Sequence, residues 1–339
     1  MTLTRQHLTV LLNALYSTET TSIPVTHPSD AIGELVRIDL DAPEQTRLDV
    51  TMSAKAYAEV RRAVEREHGT SVSKELPSAQ SYRNAFVAGG LLQLQNHGEI
   101  EAFLERHGEP DLSAGHKPVV AGFDTNLLPW RIADVLGLEP GENATVNGFA
   151  LATGVRDELD WDDKRGDTRA LEDAFGSPFE QVWNQPAGAN REGRLGENYY
   201  RTLRDHRYAD EVVSETGDDA IIAGYDDFQA DGRKDVLLFS NDRNFIERAR
   251  AHRILAQRVA FPDTLPERMT GSWTAIQNTL YVLTVLFGVL ELPKVTLFGV
   301  WKGKSGQDWH DEELKIDCRS PKLKPLIDRD TRILAGDTS

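Results

Sequence analysis

The chain has 339 residues, with 38 Lys and Arg against 54 Asp and Glu and a formal net charge of −16. That length can bury a large core and hold more than one packed unit, while the single cysteine, Cys318, excludes an internal disulfide and a cysteine-built zinc site. Arginine supplies 27 of the 38 basic residues, and this balance reads as adaptation to a salt-rich cytoplasm; at molar salt the Debye length is about 3 Å, so the acidity does not exclude a nucleic-acid substrate.

The N-terminal stretch MTLTRQHLTVLLNALYS lacks the basic start, apolar core and small-residue cleavage site of a secretory signal, so it reads as an amphipathic helix of a cytoplasmic protein. Next, Val36, Ile38 and Leu40 alternate with Arg37 and Asp39, and Leu48, Val50 and Met52 alternate with Asp49 and Thr51. The pattern predicts two half-buried strands joined around Asp41, Ala42, Pro43, Glu44 and Gln45. Ser53 then caps a helix with Tyr57, Val60 and Val64 on one face, stopped by Gly69. Further helices are expected around Tyr82 to Leu94 and Ile100 to Arg106. Residues 1–113 are expected to form an accessory α+β region, and they carry no motif that converts into chemistry.

From Lys117 the pattern changes. Val119, Val120, Ala121 and Phe123 form an apolar run that delivers Asp124, and Val236 to Phe239 form another that ends at Ser240, Asn241 and Asp242. Continuous apolar runs fit strands of a parallel sheet covered on both faces. Ligands bind beyond the carboxyl ends of such strands, which places both Asp residues for chemistry; Asp242 reads equally as a helix N-cap. Between them, Leu136 to Gly141 close a first crossover helix, Val146 to Ala152 read as the second strand, and a helix follows with Val155 and Leu159 on one face and Glu158 beside it. Asp157 to Asp163 read as a solvated helix face, and residues 160–196 as loop-rich. A helix with an acidic first turn begins at Asp218 and Asp219, and Gln257 to Phe261 read as the last strand.

The most basic stretch is 191–208, with Arg191, Arg194, Arg201, Arg204 and Tyr208. Arg201, Arg204 and Tyr208 fall at i, i+3 and i+7, which predicts one helical face for holding a nucleic-acid strand; pairing with surface acids is the alternative. Arg243, Arg248, Arg250 and Arg253 add positive charge after Asp242. The apolar run 273–292 contains Gln277 and Asn278 and lacks basic flanks, so it reads as a buried or homo-oligomer-forming helix rather than a membrane span. Val295 to Trp301 and Leu314 to Cys318 predict an antiparallel pair around Gly303-Lys304-Ser305-Gly306, a segment without the earlier glycine or following helix of a phosphate-binding loop.

Asp124-Thr125-Asn126 after one strand, Val155-x-x-Glu158-Leu159, Asp219-Ala-Ile-Ile-Ala and Ser240-Asn-Asp-Arg-Asn-Phe245 together resemble the PIN-domain nucleases across about residues 117–262. The resemblance implies a doubly wound parallel α/β sheet with helices on both faces at 114–265, flanked by elaborations at 1–113 and 266–339. It further implies metal-dependent hydrolysis of phosphodiester bonds in RNA, less often DNA. Asp124, Glu158, Asp219 and Asp242 match the family's metal positions, Asn126 and Ser240 its supporting polar positions, and the adjacent Asp218 can replace Asp219. Clustered carboxylates repel one another without a cation, and an oxygen-only set suits Mg²⁺ or Mn²⁺. The basic stretch and both flanks depart from minimal members of the family. Two other readings compete. A haloacid-dehalogenase-like phosphatase needs Asp-x-Asp where this chain has Asn126, and a non-catalytic scaffold would be indifferent to Mn²⁺.

Overall fold

The computed structural model describes residues 1–40, 45–141, 144–159, 168–183 and 185–334. Its strands are β1 (Thr2–Thr4), β2 (Ser22–Thr26), β3 (Glu34–Asp39), β4 (Thr46–Val50), β5 (Val119–Phe123), β6 (Gly148–Ala152), β7 (Asp210–Val212), β8 (Asp235–Ser240), β9 (Leu255–Arg258), β10 (Arg268–Gly271), β11 (Val289–Leu292), β12 (Val295–Phe298) and β13 (Glu313–Cys318). They divide between two compact units, one of Met1–Leu92, Asp163–Glu192 and Thr264–Ser339, the other of Gln93–Asp162 and Gly193–Asp263.

The first unit is built on an eight-stranded antiparallel sheet in the order β1-β13-β12-β11-β2-β3-β4-β10. The N- and C-terminal flanks, expected as separate regions, therefore share one sheet, with β11 hydrogen-bonded to β2. The boundary expected at 113 also moves: the helix His97–His107 belongs to the second unit. The predicted β3–β4 and β12–β13 pairs form, although the joint at 41–44 lies outside the described residues. Ser53 accepts from the Ala56 amide to cap the helix Ala54–His68, and Gly69, at φ 86°, ends it.

The apolar run 273–292 divides into the helix Trp273–Phe287 and β11, separated by Gly288 at φ 82°. From Thr279 to Leu290 every residue is buried, the helix packing on Leu8–Ser17 and Ala79–Ala88. Gly89 permits the latter approach, since a Cβ there would stand 1.8 Å from Thr279 Oγ1. The run is covered by its own unit, in line with the buried-helix alternative read from its sequence. Among the described residues no helix is long and apolar enough to cross a membrane. The stretch 160–196, expected to be loop-rich, holds the helices Thr168–Phe175 and Gly188–Arg201. Residues 160–167 and 184 lie outside the described ones, and with them most of the acidic run.

The second unit is α/β, with a five-stranded parallel sheet in the order β7-β6-β5-β8-β9. β5 is buried throughout and β8 from its second residue onward, as their uninterrupted apolar runs require. Gly122 in β5 leaves room for Tyr225, whose ring would lie 2.8 Å from a Cβ there and whose hydroxyl donates to the Ala150 carbonyl. The first crossover is two short helical turns at Thr125–Trp130 and Ile132–Val135, broken by Arg131 at φ 52° and closed from Leu136 onward as expected. The last strand begins at Leu255 instead of Gln257, launched directly by Arg253 at φ 62°.

A candidate carboxylate site at the strand ends

From β5 the chain moves outward through β6 and β7, then returns to the other side of β5 as β8 and β9. The order thus reverses between β5 and β8, and the crevice beyond their carboxyl ends is the topological switch point. Phe123 aligns with Phe239, so the next residues, Asp124 and Ser240, stand side by side. The Asp124 amide donates to the Phe239 carbonyl at 2.9 Å. The buried Asp124 carboxylate accepts from the Thr125 amide at 2.7 Å through Oδ1, and through Oδ2 from Ser240 Oγ at 2.5 Å and Asn126 Nδ2 at 2.6 Å.

Glu158, on the helix Thr153–Leu159, accepts from the Thr125 hydroxyl with Oε2 and from the Gly217 amide at 2.8 Å with Oε1. Thr125 thereby joins the end of β5 to that helix. It had no role assigned from sequence, although Asp-Thr-Asn names it. Burial pushes the Asp124 carboxyl up to about 6; the negative charges of Asp218 and Glu158 add to the rise, against the Ser240 and Thr125 hydrogen bonds.

The helix Asp218–Ala230 brings Asp218 and Asp219 to the site, and Arg248 of the helix Arg243–Ala251 pairs with both, 2.7 Å from Asp219 Oδ1. Asp219 is exposed and Asp218 half-buried, so of this adjacent pair Asp218 is the one whose field reaches Asp124. Asp242 caps the helix Arg243–Ala251, its Oδ1 accepting from the Asn244 amide at 2.7 Å and the Phe245 amide at 3.5 Å. Of the four acids matched to metal positions, Asp124 and Glu158 are linked through Thr125, Asp219 shares Arg248 with its neighbour Asp218, and Asp242 caps its helix. Among the described residues no three His, Cys, Asp or Glu side chains converge closely enough to enclose a metal ion.

The chain matches no protein-family model, no curated protein and no solved structure.

The cationic residues are mostly committed. Arg191 is fully buried in the first unit, bonded to Glu75 at 2.8 Å and to the carbonyls of Glu75, Pro186 and Leu286. Its expected role in gripping a nucleic-acid strand is corrected: a guanidinium without solvent exposure cannot reach a phosphate. Arg194 and Arg201 both pair with Glu197, Arg204 pairs with Asp205, and Arg248 with Asp218 and Asp219. The helix Gly188–Arg201 gives way to a π-turn at Thr202–His206, which breaks the face expected for Arg201, Arg204 and Tyr208; Tyr208 lies beyond it, exposed, at φ 52°. Arg243 is exposed at the first position of its helix. Lys304, in the glycine-flanked segment, is buried and donates to the Gly299 and Glu313 carbonyls, and a one-turn helix, Gly306–His310, does follow it.

Proposed function

We propose that the second unit is a PIN-like nuclease domain that hydrolyses phosphodiester bonds in RNA, or in DNA, in the cytoplasm of a cell with high internal salt. The observation that carries this reading is Asp124, a buried carboxyl at a topological switch point whose ionised form is opposed by burial and by two further acids. Oxygen donors sharing one field fit a hard divalent cation, Mg²⁺ or Mn²⁺, whose charge offsets their repulsion. Asp124, Glu158 and Asp218 would have to draw together around it, since they do not enclose a cation as they stand. Such a cation supplies polarisation of a water and stabilisation of charge on the phosphodiester. The chain's own residues orient the carboxylates: Ser240 and Asn126 set the rotamer of Asp124, and Thr125 and the Gly217 amide set that of Glu158.

A second reading, a scaffold without catalysis, is favoured by the Arg248 guanidinium, which pairs with both Asp218 and Asp219 and offsets one of their two charges. Wild type and Asp124→Asn incubated with single-stranded RNA, and in parallel with DNA, in Mn²⁺ and high salt distinguish the two. The nuclease reading expects cleavage by wild type, to the 5′-phosphate products that the family resemblance implies, and none by the variant. Equal trace activity, with Mn²⁺ shifting the unfolding temperature of neither protein, gives the scaffold reading.

A further inference from the structure

Within the second unit, the helix His97–His107 and the segment from Arg250 through β9 line a groove of about 600 Å³. The volume is that of a small-molecule or nucleotide site. Its lining is cationic, with Arg106, Arg250 and Arg253 against a single acid, Glu99, and His107 among them. Arg250 is braced on the Ala256 carbonyl at 2.8 Å. The Arg106 and Arg253 side chains, both exposed, have no hydrogen bond or ion pair among the described residues. Arg194, Arg201, Arg204 and Arg248 each take a carboxylate, whereas these two leave their charge to the groove. Phe103 adds a half-buried ring, 5.0 Å from that of His107.

β9 leads from this groove toward the carboxylates. It pairs with β8 as far as Arg258 opposite Ser240, and Arg258 Nε donates to the Asn241 carbonyl at 3.2 Å. The four residues of β9 span roughly 10 Å at the rise of a strand. We infer that the groove holds the phosphates of a single-stranded polynucleotide whose chain continues along β9 to the Asp124 end of the sheet. Guanidinium groups take phosphate oxygens in pairs, and an adjoining ring offers a base a stacking face. The occupant rests on the phosphodiester reading; the cationic lining does not.

The test is binding without cleavage. Anisotropy of a fluorescein-labelled 12-nucleotide oligouridylate is followed in EDTA across a salt series, for wild type and for Arg106→Ala/Arg253→Asn. Asn tolerates the left-handed backbone at 253, and Arg62→Ala/Arg66→Ala on the exposed helix Ala54–His68 controls for net charge. The expectation is about tenfold weaker binding for the groove variant, with the salt slope smaller by about 1.4 for two lost contacts, and no change for the control. That result supports the groove even if wild type proves unable to cut, which would sink only the nuclease reading. Absence of wild-type binding, an unchanged affinity and slope in the groove variant, an equal loss in the control, or displacement of the oligomer by UMP at equal affinity overturns it.

Discussion

Ser240 Oγ donates to Asp124 Oδ2 at 2.5 Å, tying the ends of β8 and β5 across the point where the strand order reverses. The same hydroxyl accepts from the Asp242 amide at 2.9 Å, so one buried side chain holds the floor of the site and the start of the next helix. Ser240→Ala leaves Asp124 short of a donor and should destabilise the second unit by about 1–3 kcal/mol. Urea unfolding reads this directly, and an unchanged midpoint would show that the hydroxyl is dispensable.

Asp242 works through its cap. Asp242→Ala should cost about 1 kcal/mol and Asp242→Asn only a few tenths, because the amide oxygen still accepts from Asn244. If the nuclease reading holds, Asp242→Asn should retain most of the hydrolysis that Asp124→Asn abolishes. Complete loss in Asp242→Asn with folding intact would return this residue to the metal set.

The Arg191–Glu75 pair lies in the core of the first unit, with both side chains buried. Arg191→Met alone strands the Glu75 carboxylate and should cost about 3–5 kcal/mol, whereas Arg191→Met with Glu75→Leu should recover part of that loss. Thermal unfolding of the two variants decides it: a double variant no more stable than the single would mean that Arg191 acts through its carbonyl bonds.

His27 gives the first unit a dependence on pH. Its Nδ1 accepts from the Ser29 amide at 3.1 Å, so the proton sits on Nε2, which lies beside Phe175, Phe179 and Phe287 with no hydrogen-bond partner among the described residues. Burial first, and the charge of Arg191 second, lower its pKa from 6.5 to about 3. Between those values the unfolded chain takes up a proton that the folded chain refuses, so stability falls as pH falls, by up to about 1.4 kcal/mol per pH unit. His27→Leu should flatten the stability profile between pH 6 and 4, and a variant with the wild-type slope would assign the acid limb to other groups.

Local pattern carried the second unit's sheet because its strands announce themselves: Val119–Phe123 and Val236–Phe239 have no polar residue to expose. The helix Ala54–His68 was legible for a similar reason, both of its stops being chemical signals at Ser53 and Gly69. The eight-stranded sheet was not, since the pairing of Glu291 with Thr26 depends on partners far apart in sequence that no local alternation names. Charge counting failed in the same way at Arg191, whose carboxylate partner lies 116 residues away. At Asp242 the two candidate roles use the same residue type at the same strand end, and the cap, made through Oδ1 to the amides of Asn244 and Phe245, leaves Oδ2 for the other.

The placement of β11 beside β2 sets an order of events during synthesis. β2, β3 and β4 emerge early and pair with one another, but one side of β4 waits for β10 and one side of β2 waits for β11, so the meander keeps two open edges while more than two hundred further residues are made. At ribosomal rates of roughly 5–20 residues per second that interval is tens of seconds. The five strands of the parallel sheet are all complete by Arg258, before β10 exists. A nascent chain halted near residue 263 should therefore present a finished second unit and an unprotected, aggregation-prone first one.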